Sequence, residues 1–174
     1  SELEKVKEDI RRLLKRLKED IKRIKDEIDR LLEELKRHLK EVEEEVDRIL
    51  EELKDLKRRG TTEDTLRRVR EEIKRLIKES EEALEKVKRE IEEIKKRSEE
   101  KLKRARTEIK KIKDNVPRRE KLERVKEDVE RVLEEYRKRS EDLARRVEKV
   151  LREYKKRSDE LEKRVEDVIK EVAD

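Results

Sequence analysis

Tyr136 and Tyr154 are the two tyrosines of this chain, and each is followed four residues later by a serine, Ser140 and Ser158. These hydroxyls, with Ser80 and Ser98, are the side chains whose types and spacing could do chemistry. Residues that face each other across an antiparallel helix pair have a constant index sum. Folding about the Pro117 region gives a sum near 234, which sets Ser98 beside Tyr136 and Ser80 beside Tyr154. Such a cluster can fix the register of packed helices or line a small binding site. In its simplest form it gives the hydroxyl of a core-edge tyrosine the partner it needs. The arrangement occurs twice, one repeat apart. That is how a repeating core device behaves, so the clusters are read as structural, with neither catalysis nor a saturable ligand site expected. A register-setting network and a small binding site stand as the alternatives.

His38 is the one histidine. It sits at the edge of an apolar stripe, between Leu35 and Leu39, and is expected to be an uneventful boundary residue. A metal site needs further ligands, and a general base needs a positioned substrate. In register His38 comes near Ser80, but no third group orients the pair as a nucleophile and its base require. Carboxylates are abundant, yet none lies inside an apolar stripe where burial would raise its pKa for acid–base work. One glycine cannot form a phosphate-binding loop, and a chain without cysteine has neither disulfides nor thiolate ligands. Catalytic, cofactor-binding and metal-binding residues are therefore expected to be none, and no cofactor is implied.

The elements that carry these residues repeat. Almost the whole chain is nine near-copies of an 18-residue unit, beginning at Leu3, Ile21, Leu39, Thr62, Ser80, Ser98, Lys121, Arg139 and Arg157. Repeats of this kind fix architecture before anything else does. Eighteen residues are five turns of 3.6 residues, so each unit returns to the same angular position. A heptad pattern drifts and supercoils left-handedly, and an eleven-residue pattern supercoils right-handedly; a period of 18 asks for neither. In the first helix Leu3, Val6, Ile10, Leu13, Leu14 and Leu17 recur as Ile21, Ile24, Ile28, Leu31, Leu32 and Leu35, and again from Leu39 to Leu53. They span roughly 100° of the helix, the width of one core-facing stripe. Lysine, arginine, glutamate and aspartate fill the rest. Pairs such as Glu8/Arg12, Asp26/Arg30 and Glu44/Arg48 stand four apart in the favourable acid-first order.

Charged residues are 63% of the 174, a composition that with helical periodicity signals long helices. The persistent apolar stripe separates this chain from a disordered polyelectrolyte. The net charge of +5 is the small difference between 57 basic and 52 acidic residues. The signs are interleaved, and no basic run stands out of the kind that marks a nucleic-acid surface. No apolar stretch approaches the ~20 residues of a membrane span, and no signal-peptide core is present. The expectation is a soluble chain, and its start at Ser1 rather than Met points to a processed or recombinant product.

Two breaks divide the repeats. Arg58 and Arg59 suit a helix C-terminus, Gly60 can close it in the left-handed region, and Thr61 or Thr62 caps the next helix ahead of Glu63 and Asp64. At the second break, Asp114-Asn115-Val116-Pro117, Asn115 tolerates capping geometry and Pro117 fits a first helical position. Such short connections require antiparallel neighbours. The sequence thus predicts an all-α fold, a long, straight, antiparallel three-helix bundle running up-down-up as one domain over 1–174. Its helices are expected at about 2–59, 62–115 and 117–173, each roughly 80 Å long at 1.5 Å per residue.

These features resemble the computationally designed, untwisted antiparallel three-helix bundles whose backbones follow coiled-coil equations. The 18-residue repeat, the Leu/Ile/Val core, the Glu/Lys/Arg surface and the Gly- and Pro-marked connections carry the resemblance, which covers the whole chain. It implies a monomeric, very stable scaffold or building block with no evolved substrate and no expected partner. The departures are the tyrosines and serines, Lys95 and Lys113 at the position of Ile77, and Ala83 and Ala144 in place of charged residues. None of them builds a large apolar patch. The alternatives are a spectrin-like or coiled-coil module that binds a partner through a helix face, and a single charged helix acting as a spacer. The regular repeat argues against the first. Gly60, Pro117 and the wide stripe argue against the second.

Overall fold

The chain forms three α-helices in the computed structural model, which describes residues 2–60, 62–114 and 123–173. They are α1 (Glu2–Arg59), α2 (Glu63–Asp114) and α3 (Glu123–Ala173), a three-helix bundle. The first connection follows its sequence signals closely. Lys57, Arg58 and Arg59 occupy the last turn of α1, where cations complement the helix dipole. Gly60 has φ of 82° and donates its N–H to the Lys57 carbonyl at 3.2 Å, the left-handed closure that glycine permits without steric cost. Thr61, one of the two candidate caps, lies outside the described residues, while Thr62 acts as a cap. Its hydroxyl accepts the Thr65 N–H at 3.4 Å, and its carbonyl accepts the Leu66 N–H at 3.2 Å. Helix α2 accordingly begins at Glu63, one residue after the expected 62. The second connection, with Asn115 and Pro117, lies outside the described residues, as does the expected start of the third helix.

The helices contribute to two compact units: Ser1–Asp29 with Glu90–Val147, and Arg30–Arg89 with Glu148–Asp174. In the first, Ile10, Leu14, Leu17 and Ile21 of α1 pack with Ala105 and Ile109 of α2 and Val129, Leu133 and Tyr136 of α3. In the second, one cluster joins Val42, Val46, Ile49 and Leu50 to Ile73, Ile77, Leu161 and Val165. Another joins Leu35 and Leu39 to Leu84 and Tyr154. Each fully buried aliphatic side chain contributes roughly 1.5–3 kcal/mol, so these stripes dominate the energetics. Burial follows the repeat: Ile10, Ile28 and Val46, 18 residues apart, are all buried. Among the described residues no large hydrophobic side chain is exposed.

Ion pairs between helices show the relative helix directions in each unit. In the first, Asp20 pairs with Lys101 at 3.6 Å and Glu27 with Arg97 at 3.6 Å. As the α1 index rises the α2 index falls, so the two run antiparallel. In the second, Glu43 pairs with Arg157 at 2.8 Å, Asp47 with Arg164, and Lys57 Nζ donates to the Glu171 carbonyl at 2.5 Å. Both indices rise together there, so α1 and α3 run parallel. Surface pairs also form within helices. Glu8/Arg12 forms at 3.3 Å, whereas Arg48 turns to Glu45 three residues back, at 2.5 Å, rather than to Glu44.

Candidate functional site

Each unit holds one of the tyrosine–serine pairs that the index sum of 234 brings together. In the first, the Tyr136 hydroxyl lies 2.7 Å from Ser98 Oγ and donates to the Ser98 carbonyl at 3.2 Å. In the second, the Tyr154 hydroxyl lies 2.9 Å from Ser80 Oγ and donates to the Ser80 carbonyl at 3.1 Å. With the phenol proton on the carbonyl, the serine hydroxyl is left to donate to the phenol oxygen. Each pair thus closes a two-bond bridge between α2 and α3. The serine carbonyl belongs to a helix, and its second lone pair is free to accept from the phenol. Tyr136, Tyr154, Ser80 and Ser98 are all buried. A serine in place of an apolar residue makes room for the ring and supplies the partner its hydroxyl needs. Ser140 and Ser158, four residues after the tyrosines, make no bond to either phenol.

Burial pushes both phenols above the ordinary tyrosine pKa. The serine hydrogen bond opposes this in each case, while Asp20 near Tyr136 and Glu43 near Tyr154 add to it. Both therefore stay neutral well into alkaline solution. A group held in its neutral, hydrogen-bonded form is a poor general base and a poor nucleophile near neutral pH. The geometry suits cross-linking two helices by hydrogen bonds.

His38 is half-buried, and its Nδ1 is shielded from solvent without a hydrogen-bond partner. Ser80, its expected neighbour in register, is committed to Tyr154. No group of three or more His, Cys, Asp or Glu side chains capable of holding a metal occurs among the described residues. No described helix is long and apolar enough to cross a membrane.

Two features were not read from the sequence. One is the set of ion pairs between helices. Asp29 pairs with Arg146 at 2.6 Å and Asp47 with Arg164. The signal was present, because Asp29 and Asp47 are 18 apart, as are Arg146 and Arg164. The other is a cavity of about 360 Å³ beside Tyr136, lined by Ile28, Ile94, Leu102, Val147, Ser98 and Ser140 and bordered by Lys95 and Ala144. Lys95 stands 18 residues after the buried Ile77. Half-buried itself, it sends its amine to Glu92 at 3.5 Å. A second recess, of about 760 Å³, is lined mainly by Lys15, Lys18, Lys22, Lys25, Arg139 and Arg146. Glu19, Ile21, Asp142 and Leu143 complete its lining, and Arg146 is held by Asp29.

Comparison with known proteins gives the fold. A solved structure described as a computationally designed three helix bundle is similar to this chain, with a TM-score of 0.60 and 19% identity. The match covers 99% of this chain and 86% of that one. No protein-family description and no curated protein matches the sequence.

Proposed function

We propose that this protein is a de novo designed structural scaffold, a building block with no evolved substrate, whose purpose is its own fold. The observation that carries the reading is the 18-residue repeat, in which core, bridge and ion pair all recur at the same interval. Natural helical modules accumulate irregular spacings, whereas here Ile10, Ile28 and Val46 or Tyr136 and Tyr154 keep the period without a stutter. A period of five whole turns leaves no angular drift, so the helices are untwisted. The likeness to a designed three-helix bundle supports the same reading at the level of fold. The chain needs no cofactor, metal or partner, and it acts as one monomeric domain. The tyrosine–serine pairs are helix cross-links within it. The rival, a module that binds through a helix face, calls for apolar side chains held out to solvent; the described surface is charged.

Thermal unfolding followed by circular dichroism, with light scattering for mass, tests this. The expected result is a monomer whose single helical transition lies well above the ~45–65 °C usual for mesophile domains. A cooperative melt inside that range, or a stable dimer, would contradict the reading.

A further inference from the structure

The cavity beside Tyr136 goes beyond a purely structural account. Its volume of about 360 Å³ sits at the lower end of the ~300–1,000 Å³ typical of ligand pockets. Its walls are aliphatic, from Ile28, Ile94, Leu102 and Val147. Of its hydroxyls, those of Tyr136 and Ser98 are spent on each other. The Ser140 hydroxyl makes no bond to another residue and lines the space. The rim charges cancel: Lys95 and Arg137 stand against Glu99 and Glu141. Arg137 is bonded to Glu141 at 3.0 Å and to Glu134 at 3.1 Å. A charged guest would have to compete with those pairs, and a polar one would waste the aliphatic walls. What fits is a small neutral ring carrying one hydroxyl.

We propose that this cavity binds small neutral aromatic alcohols of the phenol class, with the ring on the aliphatic walls and the hydroxyl on Ser140. Lys95 is the residue that leaves the site open. At the same repeat position in the other unit Ile77 is buried, and there Ser158 and Leu161, counterparts of Ser140 and Leu143, are buried as well. Ser140 and Leu143 themselves are only half-buried. The residue pattern carries an expectation of no saturable site at either tyrosine; the proposal revises it at Tyr136 and leaves it an expectation at Tyr154.

The test is a calorimetric and NMR titration of the full-length protein with phenol, with benzoate and toluene as companion probes. Expected is saturable 1:1 binding of phenol, with shifts confined to residues around Tyr136, and no saturable binding of benzoate. Lys95→Ile, which copies the sealed unit, should abolish binding while the circular dichroism spectrum is retained. Ala144→Leu, which fills the rim from α3, provides a second closure should Lys95→Ile change the fold. Ser140→Ala should weaken phenol roughly 2- to 10-fold, the effect of one hydrogen bond, and leave toluene unchanged. Non-saturable phenol binding, or undiminished binding in a closed variant that remains folded, would overturn the proposal. So would shifts centred on Tyr154.

Discussion

The two tyrosine–serine bridges have the same bonds and different surroundings. Around Tyr154 the bridge is sealed: Ser80 is 1% exposed, and Ile77, Ser158 and Leu161 are all buried. Around Tyr136 the bridge has the same donors and acceptors, but Ser140 and Leu143 are only half-buried and a cavity opens next to it. Repeat arithmetic sets the bridge in both units, because it needs only the index sum and the stripe. The two surroundings differ at the stripe edge, isoleucine at 77 against lysine at 95, and at the α3 rim, Glu162 against Ala144. A lysine can lay its stem along apolar surface, but its amine must reach water, and here it reaches out to Glu92. Period and packing are thus separable: the first comes from the pattern, the second from single side chains.

Exchanging those two residues should produce the largest effects. Ile77→Lys removes a buried isoleucine from the Val42–Val165 cluster. Truncation of such a residue costs roughly 2–5 kcal/mol, and the lysine stem recovers part of it, so denaturant unfolding should show a loss of about 2 kcal/mol. The reciprocal Lys95→Ile should gain about 1–2 kcal/mol by burying an aliphatic side chain. A Lys95→Ile variant no more stable than the parent would break the comparison.

Removing the phenol hydroxyls should separate the units more finely. Tyr136→Phe is expected to cost about 0.5–1.5 kcal/mol, the net value of a hydrogen bond, because water entering the cavity can serve Ser98. Tyr154→Phe leaves Ser80 buried without its partner. It should cost more, about 1–3 kcal/mol, unless the serine turns back to its own helix carbonyl. Equal losses from the two variants would show that the units are equally sealed.

Alkaline titration gives a smaller effect. Both phenols have folded pKa values raised above the unfolded one, so folding favours the protonated form. That contribution is complete below the unfolded value near pH 10 and is lost as pH rises through the folded values. With two tyrosines and no tryptophan, tyrosinate absorbance should report these two groups alone, with midpoints above that of free tyrosine. The Tyr136→Phe/Tyr154→Phe double variant should lose less stability than the parent on going above about pH 10. The smallest effect belongs to the surface. Arg12→Ala removes an exposed pair with Glu8 and should change stability by no more than ~0.5 kcal/mol in a denaturant titration.

Much of this was legible in advance for physical reasons. Stripe residues such as Ile10 and Val46 are buried because a helix with one apolar face has only one way to hide it. Gly60 and Thr62 act as local signals, with no help from the rest of the fold. The pairing of Ser98 with Tyr136 and Ser80 with Tyr154 followed from index sums alone. Less legible were features that depend on how far a side chain reaches. Arg48 selecting Glu45 over Glu44 is a rotamer choice between near-equal partners. The shielded Nδ1 of His38 depends on how neighbouring side chains lie over it. The cavity beside Tyr136 depends on where the Lys95 stem goes, which a pattern of apolar and polar letters does not encode.

The most direct test of the central claim is a crystal structure of the protein at a resolution that shows ordered water. Both phenols are expected within hydrogen-bond distance of Ser98 and Ser80, with ordered water beside Ser140 and none beside Ser158. Phenols turned away from those serines, or the same hydration at both bridges, would contradict it.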